Sequence, residues 1–120
     1  MKQKVHSVSY LAKAEFEFKN GVYDLVALPT GAEVVKVDLE VVGSLTTGTV
    51  DVGFKDETTK NYFLTLNNLA SNKNATSAKD YTVTSDKVIV AEVKAAANNE
   101  HAKGVLRVLY FLPSVIEVEY

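Results

Sequence analysis

Apolar and polar residues alternate along most of this chain. Between Glu33 and Val42, the residues Val35, Val37, Leu39 and Val41 fall on one face, and Lys36, Asp38 and Glu40 fall on the other. A period of two with that contrast predicts a half-buried strand. Thr49 to Phe54 repeats it, with Val50, Val52 and Phe54 inward and Asp51 outward. Lys87 to Ala95 places Ile89, Ala91, Val93 and Ala95 on one face. Gly104 to Leu112 is apolar on both faces except at Arg107, as a strand covered on both sides would be. Pro113 then interrupts the ladder, because proline has no N–H to donate. Val115 to Tyr120 alternates once more, Ile116, Val118 and Tyr120 against Glu117 and Glu119.

Turn chemistry separates these runs. Asn20-Gly21 supplies two residues that tolerate positive φ and predicts a type I′ hairpin. That register pairs Lys19 with Val22, Phe18 with Tyr23 and Phe16 with Leu25, and it sets Glu17 opposite Asp24 on a solvated face. Pro29-Thr30-Gly31 predicts a second turn. Asn67 to Asp80 is polar with weak periodicity, and Ala70 to Ala78 within it reads either as one helical turn or as an exposed loop. Ala95 to Asn99 is a second polar stretch. The sum is an all-β chain: a β-sandwich or jelly roll of about seven to eight short antiparallel strands with one polar loop insertion.

Composition agrees with that class and narrows the chemistry. The chain has 120 residues, 47% of them hydrophobic, with β-branched residues prominent. A chain of this length buries roughly 70% of its unfolded surface, enough for one core without staples. One domain over 1–120 is expected, with terminal arms at 1–10 and 113–120. The net charge of −2 gives no field that would draw in nucleic acid or an anionic membrane, so neither is expected as a partner. No cysteine is present, which excludes disulfides and thiolate chemistry. No apolar run approaches the roughly 20 residues of a membrane span. Met1-Lys2-Gln3-Lys4 leads into Val5-His6-Ser7-Val8-Ser9 and not into an apolar run, so a chain made without export is expected.

Candidate chemistry is sparse. His6 and His101 come without the further ligands that zinc requires. Asp51, Asp56 and Glu57 are close in sequence, but calcium wants six to eight oxygens in a loop of defined spacing, and Lys55 and Lys60 intrude. These acids read as a charged turn. No glycine-rich phosphate cradle or Gly-x-Ser-x-Gly elbow is present. No catalytic residue, cofactor or metal ligand is therefore assigned. Phe16, Phe18 and Tyr23 form an aromatic group, and the flanking Glu15 and Glu17 would repel phosphate, so core packing accounts for them better than base stacking. Asn74-Ala75-Thr76 is a glycosylation sequon only if the chain is exported. Val115 to Tyr120, beyond its proline, is open to two readings. It is a last strand docked on its own sheet, or an arm that adds to a neighbouring subunit.

One stretch carries a resemblance. Leu25 to Val42, with Leu28-Pro29-Thr30-Gly31-Ala32 at its turn, is followed by Gly48-Thr49-Val50-Asp51-Val52-Gly53. This resembles small phage virion proteins of the capsid-accessory type, over about residues 22 to 54 and more loosely over the C-terminal third. The resemblance implies a cement or decoration protein on the outside of a phage capsid, assembled in the host cytoplasm. It would bind the major capsid protein and itself, as a homotrimer, and would not be an enzyme. The contacts are expected from the terminal segments, at Val5, Val8, Tyr10, Val115, Ile116, Val118 and Tyr120. The competing expectation is a small carbohydrate- or receptor-binding module of a tail fibre or adhesin.

Overall fold

The computed structural model describes residues 2–43, 47–67, 69, 71–96 and 101–113, and the backbone of 115–119. The alternating runs become strands, and no helix occurs among the described residues. In chain order they are β1 (Lys2–His6), β2 (Ser9–Glu17), β3 (Gly21–Leu28), β4 (Glu33–Gly43), β5 (Thr49–Phe54), β6 (Leu64–Leu66), β7 (Asn74–Ser77), β8 (Tyr81–Thr82), β9 (Lys87–Lys94), β10 (Ala102–Phe111) and β11 (Val115–Glu119). Nine of them make a sandwich. One sheet has the order β2-β10-β4-β7, with β8 also on β4, and the other has the order β3-β9-β5-β6. All pairings are antiparallel. The all-β sandwich expected from the alternation is present. The extra strands are short pieces inside segments that looked like loop.

The core lies between the sheets. Phe18, Leu28, Val34, Val37, Leu39, Val50, Val52, Phe54, Ile89 and Leu106 are almost wholly buried there. Sequence alternation placed most of them correctly. Val35 is the exception: Val34 is buried and Val35 is 38% exposed. The cause is a bulge. Leu109 pairs with Lys36 and Tyr110 with Val34, so Val35 is skipped and the strand changes face at that point. A bulge in β3 does the same at Leu25, between Asp24 and Val26. Ala95 likewise does not continue the inward face of β9, which ends at Lys94; Ala95 turns away with φ +57°.

The Asn20-Gly21 hairpin does not form. β2 pairs with β10 and β3 pairs with β9, in different sheets, so residues 18–20 are a corner between layers. Phe16 stands opposite Gly104, not Leu25, and Tyr23 stands opposite Ala91, not Phe18. A type I′ turn needs positive φ at both central residues, and only Gly21 has it. Asn20 serves another end: its Oδ1 accepts the N–H of Ala96 at 2.9 Å, tying this corner to the one that follows β9. The polar insertion also differs from expectation. Asn74–Ser77 forms a strand on β4, with the Thr76 hydroxyl on Asp38 at 2.8 Å, and Leu69 is buried in the core. Ala70 lies outside the described residues. The turn at Pro29-Thr30-Gly31 forms as expected, with Ala32 N–H donating to Pro29 O at 3.1 Å and Gly31 at φ +91°.

Candidate assembly interface

The two terminal segments find each other. β1 and β11 form a separate two-stranded ribbon that joins neither sheet of the sandwich. The register sets Lys2 opposite Glu119, Lys4 opposite Glu117, Val5 opposite Ile116 and His6 opposite Val115. Directly opposed residues of an antiparallel pair share a face. Positions 3, 5, 116 and 118 therefore fall on one side, and positions 2, 4, 117 and 119 on the other. The ribbon lengthens the molecule to 57 × 25 × 18 Å, with a radius of gyration of 16.0 Å. A compact chain of this length would have about 14 Å.

Where the ribbon leaves the sandwich, the backbone is bound tightly. Leu112 N–H donates to Val8 O at 2.8 Å. His6 Nδ1–H donates to Leu112 O at 3.1 Å, which fixes the tautomer, and its ring lies edge-on to Phe111 at 6.4 Å between centroids. Pro113 rests on Gly31, where a Cβ would come within 2.6 Å of the Pro113 Cβ. The proline that ends β10 thus seats the ribbon on the Pro29–Gly31 turn. His6 has a packing role at this junction.

Exposed apolar side chains concentrate at the same pole. Val5, Val8, Tyr10 (52% exposed), Leu11 (64%) and Val35 are there, whereas Val22 and Val42 lie toward the opposite pole. Tyr10 meets Tyr110 edge-on at 5.9 Å. Beside Leu11, a depression of about 280 Å³ is lined by Leu11, Lys36, Asp38, Arg107 and Leu109. Of the contact residues expected from sequence, Val5, Val8 and Tyr10 sit at this pole, and Val115, Ile116 and Val118 lie in the ribbon's second strand. Tyr120 lies outside the described residues. Sequence reasoning missed Leu11, Val35 and Leu109. Adjacent Tyr10 and Leu11 break the alternation of β2, which was the available signal.

The remaining titratable groups do not converge. A larger depression of about 440 Å³ at the opposite pole is lined by Glu17, Lys19, Val42, Gly43, His101, Ala102 and Lys103. Glu17 there pairs with Lys19 at 3.1 Å, and no hydrogen bond or ion pair joins it to His101 among the described residues. Asp51 accepts from Thr65 and Asp56 pairs with Lys87, so these two acids near β5 are engaged separately, and Lys60 donates to the main-chain carbonyl of Glu57, not to its carboxylate. The described residues contain no group of three or more His, Cys, Asp or Glu side chains placed to hold a metal ion. What the described residues offer instead is a sandwich with a projecting ribbon and an apolar pole.

No protein-family model and no curated protein matches the chain. Solved structures do. A chain of the structure described as the acidic stable capsid of Helicobacter pylori bacteriophage KHP30 is similar at 74% identity, with a TM-score of 0.93 and full coverage of both chains. A chain of the capsid asymmetric unit of cyanophage Pam1 shares the fold, with a TM-score of 0.67 at 19% identity over 88% of this chain and 85% of that one. The chain belongs to the family of the KHP30 capsid component, and it is a structural protein of a bacteriophage capsid.

Proposed function

We propose that this protein is a cement or decoration protein, bound on the outside of a phage capsid and bridging neighbouring capsomers. Its partners are the major capsid protein and copies of itself, with a homotrimer as the working unit, and it joins the shell in the host cytoplasm. One observation carries the reading: both terminal segments leave the sandwich as a ribbon at the pole that bears most of the exposed large apolar side chains. A two-stranded ribbon is marginal in water by itself, so it gains most by lying on another surface. A bound shell provides one, and several such contacts per oligomer raise the effective concentration of each.

Deletion of residues 114–120 tests this. The sandwich should still fold, because its nine strands do not include β11. Occupancy on capsids should fall at least ten-fold, and sedimentation should report a lighter particle. Unchanged occupancy together with an unchanged particle mass would end the proposal.

A further inference from the structure

Edge strands of the sandwich are mostly short or irregular. β6, β7 and β8 have three, four and two residues, and β3 is bent by its bulge. Short length and bulges are two of the devices, beside charged side chains, that keep sheets from pairing edge to edge. β2 has neither. It runs nine residues, and its register with β10 is unbroken from Glu17 to Ser9. No strand pairs with its other side among the described residues.

The orientation of its free groups follows from two bonds. Phe18 N–H donates to Ala102 O at 3.0 Å, and Leu112 N–H donates to Val8 O at 2.8 Å. Even-numbered residues of β2 thus face β10 with their main-chain groups. Ser9, Leu11, Lys13, Glu15 and Glu17 direct theirs to the open edge, since N–H and C=O of one residue point the same way in a strand.

The side chains on that edge are self-complementary. Lys13 stands opposite Arg107 across β10, a like charge, and makes no ion pair among the described residues. Glu15 reaches only Lys103, at 3.4 Å. If two β2 strands run antiparallel about a two-fold axis through Ala14, Lys13 of each copy lies opposite Glu15 of the other. Leu11 then lies opposite Glu17. Moving the axis to Lys13 sets lysine on lysine, and moving it to Ala12 sets Leu11 on Lys13. The axis through Ala14 alone matches the charges and also joins the odd-numbered main-chain groups in hydrogen-bonded pairs.

We infer that β2 is a self-association edge: two copies of this chain join through it about Ala14, merging their larger sheets into one. The contact needs no capsid. It is distinct from the ribbon and adds to any three-fold association the ribbon mediates.

The cysteine-free full chain makes the register directly testable. Ala14 would face its own copy in a non-hydrogen-bonded pair, with Cα atoms about 4.5 Å apart, within the disulfide range. Ala12 would be about 14 Å from its copy, given the rise of a strand. Under air oxidation in dilute solution, Ala14→Cys should form a covalent dimer at least ten-fold more than Ala12→Cys. Adding Lys13→Glu to the Ala14→Cys chain should cut the yield several-fold, and the charge swap Lys13→Glu with Glu15→Lys should restore it. Circular dichroism confirms that each variant is folded. Equal crosslinking at positions 12 and 14, or no response to Lys13→Glu, would overturn the inference. Because no capsid enters the assay, its failure would leave the cement reading untouched.

Discussion

Phe16 and Gly104 show how one residue's volume is set by another's. They are direct partners across β2 and β10, and a Cβ on Gly104 would lie 2.2 Å from Phe16 Cζ. Phe16 has little room to retreat, being stacked on Tyr23 at 5.3 Å between centroids. Gly104→Ala is expected to destabilise the fold by about 1–3 kcal/mol through overpacking. Phe16→Leu should relieve much of that, so chemical denaturation of the double variant should show less loss than the two singles added together. Adjacent valines in β4 give a sharper contrast. Val34→Ala should cost on the order of 2 kcal/mol for the buried surface it removes, while Val35→Ala should stay within about 0.5 kcal/mol. Equal losses in a melt would mean that the bulge is misplaced.

Strands were legible in the sequence, and their partners were not. Period-two alternation located β4, β5, β9 and β10, and it picked out Val37, Leu39, Val50, Val52 and Ile89 as core. Alternation says nothing of which strand lies beside which. Asn20-Gly21 therefore looked like a hairpin, when β10 and β9 compete for β2 and β3 and win by pairing along nearly their whole lengths. β7 was illegible because main-chain hydrogen bonds hold Asn74–Ser77 on β4, and those are available to polar residues as readily as to apolar ones. The ring group of Phe54, Tyr62, Phe63 and Tyr81 was hidden too, since no spacing rule unites those positions. The terminal segments stood out in the sequence as candidate contacts, but their mutual pairing did not. The junction that seats them rests on Gly31, and Gly31→Ala tests it. The new Cβ would collide with Pro113, at a φ of +91° that disfavours alanine. Limited proteolysis near Ser7 and Pro113 should speed up several-fold, with fragments of the sandwich left intact.

Consecutive strands from β2 to β10 pass back and forth between the two sheets of the sandwich, except that β5 and β6 stay together as a hairpin and β7 and β8 both stay on β4. No polar or charged side chain is buried among the described residues. Asp56 and Lys87 are the pair to watch. The hydrogen bond from Lys87 holds the Asp56 carboxyl below its usual range, and the same bond holds the Lys87 ammonium above its own. A lowered carboxylate stabilises the fold above its unfolded value, about 4, and that contribution is lost as pH falls through the folded value. Asp56→Asn should therefore lower the melting temperature slightly at pH 7, with the gap closing at pH 2; a gap unchanged at pH 2 would show that charge is not the cause. Finally, the zipped ends set a rule for engineering. Lys2 stands opposite Glu119, so cargo fused to either terminus lands at the ribbon, the end proposed above for contact with the shell. Linking the termini by a short turn and reopening the chain between exposed Ser71 and Asn72, near the far end of β4, would give a circular permutant whose payload points the other way.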